Sequence, residues 1–255
     1  MPTGFNLADA RSFIARSDVP AAPVGLALDT TEIVFESAKT QALLVGAQVL
    51  SFDTGVEADF REAIADSALL AQLVADKAVS ASADPIAWFD RYFAVLGQIG
   101  WAIQARDTAS YKVDVDGTEV HEAILKVVVG FLGAAPAAVA LVVQALESLK
   151  AMNPDSPTIT LFHRESQKAK VGRFQFTLVR QDSDGGLTAE AMAFALTAEK
   201  TITQILFFKL SSTSSELRRS LGSVSLNRSA LSGLRPALRA KVQAHMASNL
   251  AEIQL

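Results

Sequence analysis

The chain has 255 residues, of which 50% are apolar and 20% charged, and its formal net charge at pH 7 is −4. This length and composition suffice for one large domain or two small ones with a sizeable core. The absence of cysteine excludes disulfides, thiolate metal sites, a cysteine nucleophile and S-acylation. The negative net charge argues against a nucleic-acid-binding protein.

The N-terminal residues 1–18 contain acidic residues and arginines but no apolar segment of the kind found in signal peptides. We therefore expect a soluble protein, either cytoplasmic or released by a route that does not use a signal peptide. Asn6 has the chemistry of a helix N-cap, which predicts a short helix carrying Phe13 and Ile14.

Residues 24–52 fit two structures. Asp29 and Glu32 have the spacing of a capping box, which favours a helix beginning near Thr30. The later part of the segment, ALLVGAQVLSF, also fits a buried strand. Periodicity does not decide between the two in so short an apolar run.

From Val56 the three- and four-residue spacing of apolar side chains predicts one or two amphipathic helices. Asp84 followed by Pro85 predicts the start of the next helix, because a carboxylate caps the first N–H groups and proline suits the first turn. We expect this helix to end near Ile103. Its apolar stripe is expected to consist of Trp88, Tyr92, Leu96 or Val95, Ile99 and Ile103. We expect Trp88, Tyr92, Leu96 and Trp101 to be mostly buried.

The most apolar part of the chain is residues 127–146, twenty positions without a charged side chain. At about 1.5 Å per residue, such a helix could just cross a bilayer core of about 30 Å. Gly133 and Pro136 interrupt the segment, however, and predict two shorter helices, from about Thr118 to Leu132 and from Pro136 to Lys150.

This hairpin has two interpretations. The favoured one is a permanent part of the core, largely hidden from water. The other is a hairpin that is buried at first and inserts into a membrane after refolding. The residues that would form the membrane or lipid contact are Val127, Val128, Val129, Phe131, Leu132, Val139, Leu141, Val142 and Val143.

Apart from the apolar hairpin, the elements predicted between residues 111 and 226 are strands. Residues 111–120 alternate about Asp116-Gly117, which predicts a β-hairpin. After residue 156 the apolar period changes to two, and Thr201–Ser211 is apolar on both faces, as in a central strand. The strands predicted in this region are Thr158–Arg164, Val171–Gln181, Thr188–Glu199, Thr201–Ser211 and Leu217–Leu226.

The C-terminal segment is predicted to be a helix that Asn227 caps, that bends at Pro236 and that ends near Ile253. Together these elements predict one compact α+β domain over residues 1–255. Its mainly helical part (1–155) is expected to pack on an antiparallel meander of four or five strands (156–226), followed by the C-terminal helix (227–255).

Charge is distributed unevenly along the chain. Residues 1–126 carry a net charge of −9 and residues 127–255 a net charge of +5. A basic face could bind anionic lipid or phosphate, but the favoured interpretation is that it contacts the acidic half of the same molecule. The basic stretch without an acidic residue consists of Arg218, Arg219, Arg228, Arg235, Arg239 and Lys241.

No motif assigns catalysis. The chain lacks nucleotide-binding glycine loops, the hydrolase nucleophile elbow and the H-E-x-x-H zinc motif. His121, His163 and His245 lie on three separate predicted elements without ligand spacing. We therefore predict no catalytic, cofactor-binding or metal-binding residues, and no cofactor.

The central helices carry a resemblance. The segments DSALLAQLVADK (66–77) and WFDRYFAVLGQIGW (88–101) precede the apolar helical segment, strands ending in ILFFKL and a polar C-terminal helix. In this order they resemble the Evf-like virulence factors over most of the chain, and the layout is loosely similar to that of Cyt-type cytolysins. The resemblance implies a compact fold of helices and sheet and a virulence role. Evf-like proteins reach membranes through a palmitoylated cysteine, which this chain lacks.

These observations predict a non-enzymatic, toxin-like virulence or effector protein that associates with membranes, with membrane lipid as its partner. Because the cysteine is absent, the apolar hairpin or the basic stretch would have to make the membrane contact. One alternative is a soluble binding or structural module with an apolar ligand pocket. A second alternative is an enzyme of unrecognised type.

Overall fold

In the part of the chain that the structure describes, a mixed eight-stranded β-sheet lies between two layers of helices. The computed structural model describes residues 5–22, 33–80, 84–113, 115–133 and 135–255. The predicted α+β class and single compact domain are confirmed. The helices are α1 (Leu7–Arg16), α2 (Ala58–Ala78), α3 (Pro85–Gln98), α4 (Val120–Leu132), α5 (Pro136–Ala151), α6 (Pro157–Ser166) and α7 (Arg228–Asn249).

The sheet has the order β3-β7-β6-β5-β2-β1-β8, with the short β4 paired to β5. Its pairings in this path are antiparallel except for β2 with β5, which is parallel. The strands are β1 (Gln41–Val45), β2 (Gln48–Phe52), β3 (Trp101–Ser110), β4 (Gln167–Lys168), β5 (Val171–Gln181), β6 (Leu187–Ala198), β7 (Ser215–Leu226) and β8 (Leu250–Ile253).

The sheet separates two hydrophobic cores, because alternate side chains of a strand point to opposite faces. One core joins the sheet to α1, α2, α3 and α7, and it contains Leu43 and Ala193. The other core joins the sheet to α4, α5 and α6, and it contains the neighbouring Leu44 and Phe194. A strand covered on both faces must therefore be apolar at nearly every position.

The predicted helix starts are confirmed by their caps. Side-chain oxygens of Asn6, Asp84 and Asn227 accept hydrogen bonds from the backbone of the first turns of α1, α3 and α7. The N-terminus of α4 has a capping box of Glu119 and Glu122 that the sequence analysis did not identify. The expected burial of Trp88, Tyr92, Leu96 and Trp101 is also confirmed.

Residues 41–52 form the β1–β2 hairpin, so the strand interpretation of ALLVGAQVLSF is correct. The turn between them places Gly46 at a positive φ of 55°. The possible capping box of Asp29 and Glu32, and the helix start near Thr30, lie outside the described residues. Downstream of Val56, the apolar stripe belongs to one helix, α2.

Two predicted strands are wrong. Residues 158–164 belong to α6, whose start is fixed by the Ser156 hydroxyl accepting from the backbone N–H of Ile159 and by Pro157 in the first turn. Residues 201–211 form a loop with one 3-10 turn, Ile205–Phe207. Ile205 and Leu206 are buried against the α4–α5 core, so the alternating apolar residues reflect burial of a loop.

The ends of two helices were also predicted wrongly. Helix α3 stops at Gln98 and not at Ile103, because Gly100 at a φ of 94° turns the chain directly into β3. Helix α7 ends at Asn249, and the following residues form β8 at the sheet edge. Residues 111–120 are not a β-hairpin: Asp116-Gly117 is a turn, but the strand before it pairs with β7.

The predicted meander is present as β5, β6 and β7, whose bounds agree with the prediction to within two residues. The sheet is larger than the four or five strands predicted, because β1, β2, β3 and β8 join it from outside residues 156–226. Its parallel pairing follows from the insertion of β2 beside β5, which no local pattern in the sequence indicates.

Candidate lipid-facing site

The apolar segment is a helical hairpin, as predicted. Helix α4 has 13 residues and α5 has 16. At 1.5 Å per residue these lengths correspond to about 20 and 24 Å, short of a bilayer core of about 30 Å. Among the described residues, no helix has both the length and the apolar character needed to cross a membrane.

The inner side of the hairpin is part of the core. It packs with Phe162 of α6 and with Phe174 and Phe176 of β5. Of the nine residues predicted to contact a membrane or lipid, those buried there are Val127, Val128, Leu132, Leu141 and Val142.

The outer side of the hairpin is less hidden than the sequence analysis expected. Val129 is 52% exposed, and Phe131, Val139 and Val143 are half-buried. The sequence between Lys126 and Glu147 contains no charge, so this outer side is uncharged as well as partly apolar. Exposed apolar surface beside polar residues is typical of protein or membrane contact sites.

A groove of about 620 Å³ lies between α4, β7 and the residues that follow β3. Its apolar lining includes Val127, Phe131 and Leu221, with Tyr111 beside them. Its basic lining consists of Lys112, Lys126 and Arg219, and no carboxylate is present among the described residues that line it.

The groove is electropositive for a geometric reason. Lys126 and Arg219 come from α4 and β7, which are distant in sequence. Among the described residues, the only ion pair that these cations form is that of Arg219 Nη1 with Asp107 Oδ2, at 3.7 Å, and that carboxylate is exposed. The groove can therefore offer cations to an anionic group and apolar surface to an attached hydrocarbon.

A polar cluster ties the base of the hairpin. Lys150 Nζ lies 2.8 Å from His121 Nε2, and Glu119 Oε2 lies 3.2 Å from His121 Nδ1. The cluster joins the first turn of α4 to the last turn of α5.

The predicted basic stretch does not form one free surface. Arg228 pairs with Glu57 just before α2, and Arg235 and Arg239 pair with carboxylates of α2. Lys241 donates to the Ala15 carbonyl oxygen at 3.2 Å. These contacts agree with the interpretation that the stretch faces the acidic half of the molecule.

The remaining two basic residues lie on β7, away from that interface. Arg219 enters the groove, as described above, while Arg218 is half-buried on the adjacent position of the strand. Val127, Phe131 and Arg219 are separate candidates in the sequence, and the fold brings them together. Lys112 and Tyr111 also line the groove, but no local pattern in the sequence distinguishes them.

The histidines remain on three separate elements, α4, α6 and α7. His163 lies on a helix and not on a strand, and burial lowers the pKa of both His163 and His245. Within the described ranges, no group of three or more His, Asp or Glu side chains is placed to hold a metal ion.

No family model matches the chain, and no curated protein matches it. Among solved structures, a delta-endotoxin is similar over 81% of this chain and 91% of its own, with 16% identity and a TM-score of 0.43. The activated Cyt2Ba monomer from Bacillus thuringiensis subsp. israelensis is similar over 56% of this chain and 84% of its own, with 17% identity and a TM-score of 0.34. The Evf virulence factor is similar over 78% of this chain and 82% of its own, with 8% identity and a TM-score of 0.34.

Proposed function

We propose that the protein is a non-enzymatic effector that associates with anionic membrane surfaces through the α4–α5 side. Toxin-like action on membranes is the wider role expected from the resemblance noted in the sequence. The observation that carries the proposal is the groove, because it combines Lys112, Lys126 and Arg219 with an apolar lining. The exposed Val129 directly precedes Gly130 of that lining in the sequence.

Two contributions to the free energy of membrane binding add together. Each lysine or arginine near an anionic membrane contributes about 1 kcal/mol, and apolar side chains that enter the interface contribute through buried area. Because α4 and α5 are shorter than a bilayer core, they favour contact with the headgroup region over crossing the membrane. In this arrangement the inner side of the hairpin stays in the core while its outer side meets lipid.

Liposome flotation tests the proposal. The wild-type protein should float with vesicles containing phosphatidylglycerol, and less with pure phosphatidylcholine. The double variant Lys112→Glu/Lys126→Glu should bind at least about 30-fold more weakly, since the loss of two lysines at about 1 kcal/mol each corresponds to that ratio and the two new carboxylates are repelled by anionic lipid. Lys170→Glu/Lys200→Glu is the matched control, because both of these lysines are exposed and outside the groove.

Equal binding by the two double variants would reject the groove as the membrane contact. Release of an entrapped dye then separates an effector that damages bilayers from one that only binds them. If vesicles fail to bind but a soluble single-chain amphiphile does, the groove is a pocket for an apolar ligand and the alternative function is correct.

A further inference from the structure

A second cleft, on a different part of the molecule, has the chemistry of an anion site. It has a volume of about 260 Å³ and lies where the end of α2 meets the α6–β4 junction and the start of β5. Its lining includes three cationic residues, Arg164, Lys168 and Arg173, and two acidic residues, Asp76 and Glu165. None of these residues lines the groove between α4 and β7.

Arg173 is held rigidly in this cleft. Its Nη2 donates to Asp76 Oδ1 at 2.7 Å, and its guanidinium lies 3.6 Å from the ring centroid of Trp88. The indole N–H of Trp88 donates to the same Asp76 oxygen at 2.8 Å. Aromatic stacking and the shared carboxylate fix the orientation of the guanidinium plane, and a fixed planar fork suits recognition of an oxyanion.

The charges around Arg173 leave a positive excess. Asp76 balances Arg173, and Glu165 Oε1 balances Arg164 at 2.6 Å. Lys168 takes part in none of the ion pairs found within the described ranges, and its side chain is exposed at the cleft. An anion in the cleft would therefore meet one cation not already neutralised by a carboxylate.

An unsatisfied hydroxyl provides an independent indication of a ligand. Ser166 is only 1% exposed, and its Oγ has no hydrogen-bond partner in the described part of the chain. Buried hydroxyl groups in native proteins are nearly always hydrogen-bonded, so an unpaired one requires an explanation. Ser166 is one of the residues that line the cleft, so an anion that reached its hydroxyl would supply the missing partner.

We propose that this cleft binds a small oxyanion, a phosphate or carboxylate group of a small molecule, through Arg173, Lys168 and the Ser166 hydroxyl. The cationic guanidinium and ammonium supply charge-assisted hydrogen bonds, and the hydroxyl supplies a neutral one. The carboxylates of Asp76 and Glu165 hold the arginines in place and limit the net charge. They thereby favour a small anion over an extended polyanion.

Isothermal titration calorimetry with inorganic phosphate and with succinate, at constant ionic strength set by KCl, tests this site. Saturable binding of either probe by the wild-type protein is expected. Lys168→Ala should weaken it roughly tenfold or more, since a hydrogen bond to a charged group is lost, and Ser166→Ala should weaken it less. Lys170→Ala is the matched control, because it removes an exposed lysine two residues away that does not line the cleft.

If neither phosphate nor succinate binds saturably to the wild-type protein, the proposal is overturned. It is also overturned if Lys168→Ala binds the probe as tightly as wild type does. An equal loss in Lys170→Ala would also overturn it, because the binding would then reflect general surface charge. Because Lys168 is exposed, its substitution is expected to leave the fold intact, and the test does not depend on the riskier Arg173→Lys. Vesicle flotation of Lys168→Ala should equal that of wild type, which keeps this site separate from the membrane proposal.

Discussion

Arg239 of α7 donates a 2.8 Å hydrogen bond from Nε to Oδ2 of Asp66 on α2, and that carboxylate is completely buried. The other carboxylate oxygen, Oδ1, has no hydrogen-bond partner among the described residues. Burial raises the pKa of Asp66 to about 6, although Arg239 opposes the shift. The α2–α7 interface therefore contains a carboxylate that is costly to ionise.

We predict that this carboxylate makes stability depend on pH. Because the folded-state pKa lies above the ordinary aspartate value of 3.8, the folded state holds the proton more tightly. This stabilisation is fully present below about pH 4 and is lost as pH rises through about 6. Relative to wild type, Asp66→Asn should therefore gain stability between pH 4 and pH 7, by about 2–3 kcal/mol for a shift of this size.

Urea unfolding at a series of pH values measures the difference. Asp59→Asn is the control, because Asp59 belongs to the same ion-pair network but its side chain is 70% exposed. A constant difference between Asp66→Asn and wild type across this pH range would contradict the prediction.

Trp88→Ala should lower the free energy of unfolding by about 3–5 kcal/mol. The side chain is 2% exposed, and its ring stacks on that of Tyr92 with the ring centroids 5.5 Å apart. The Arg173 guanidinium packs on the same indole ring. Trp88→Phe loses the hydrogen bond to Asp76 but keeps most of the apolar volume. Its loss of unfolding free energy should therefore be clearly smaller than that of Trp88→Ala. A loss below about 1 kcal/mol in the alanine variant would be inconsistent with a core position.

Two valines of the hairpin should respond differently to the same substitution. Val142 is 0% exposed, so Val142→Asp places a carboxylate in an apolar core and should destabilise the protein by several kcal/mol. Val129 is 52% exposed, so Val129→Asp should change stability by roughly 0.5 kcal/mol or less. Thermal or denaturant unfolding of both variants measures the contrast.

The same position also tests membrane contact. Since the chain has no cysteine, Val129→Cys can be labelled at a single site with a polarity-sensitive dye. Anionic vesicles should shift its emission to the blue, whereas a label at Lys170→Cys should not respond. If Val129 approaches lipid, Val129→Asp should also float less with vesicles than wild type, although its stability is unchanged.

Hydrogen exchange should show whether the hairpin stays in the core. If only the outer side of the hairpin contacts the membrane, the amides around Val142 should exchange equally slowly with and without vesicles. Rapid exchange there on vesicle binding would mean that α5 leaves the core, and the insertion mechanism would replace surface contact.

The candidate membrane site was only partly predictable from sequence. Val127 and Phe131 were recognisable because they belong to an uncharged run, and Arg219 because it lies in a basic stretch. Lys112 could not be assigned to the same groove. Its partners come from α4 and β7, and only the packing of these elements makes them neighbours.

The sequence by itself determined the helix starts at Asn6, Asp84 and Asn227 and the break at Pro136, because caps and proline act through nearby backbone groups. The tertiary structure decided that residues 158–164 are a helix and that residues 201–211 are a loop. In both segments apolar residues face the core beneath α4 and α5, and burial alone does not select a backbone conformation. The parallel pairing of β2 with β5 and the two clefts likewise depend on contacts between distant residues, whose energies no local pattern records.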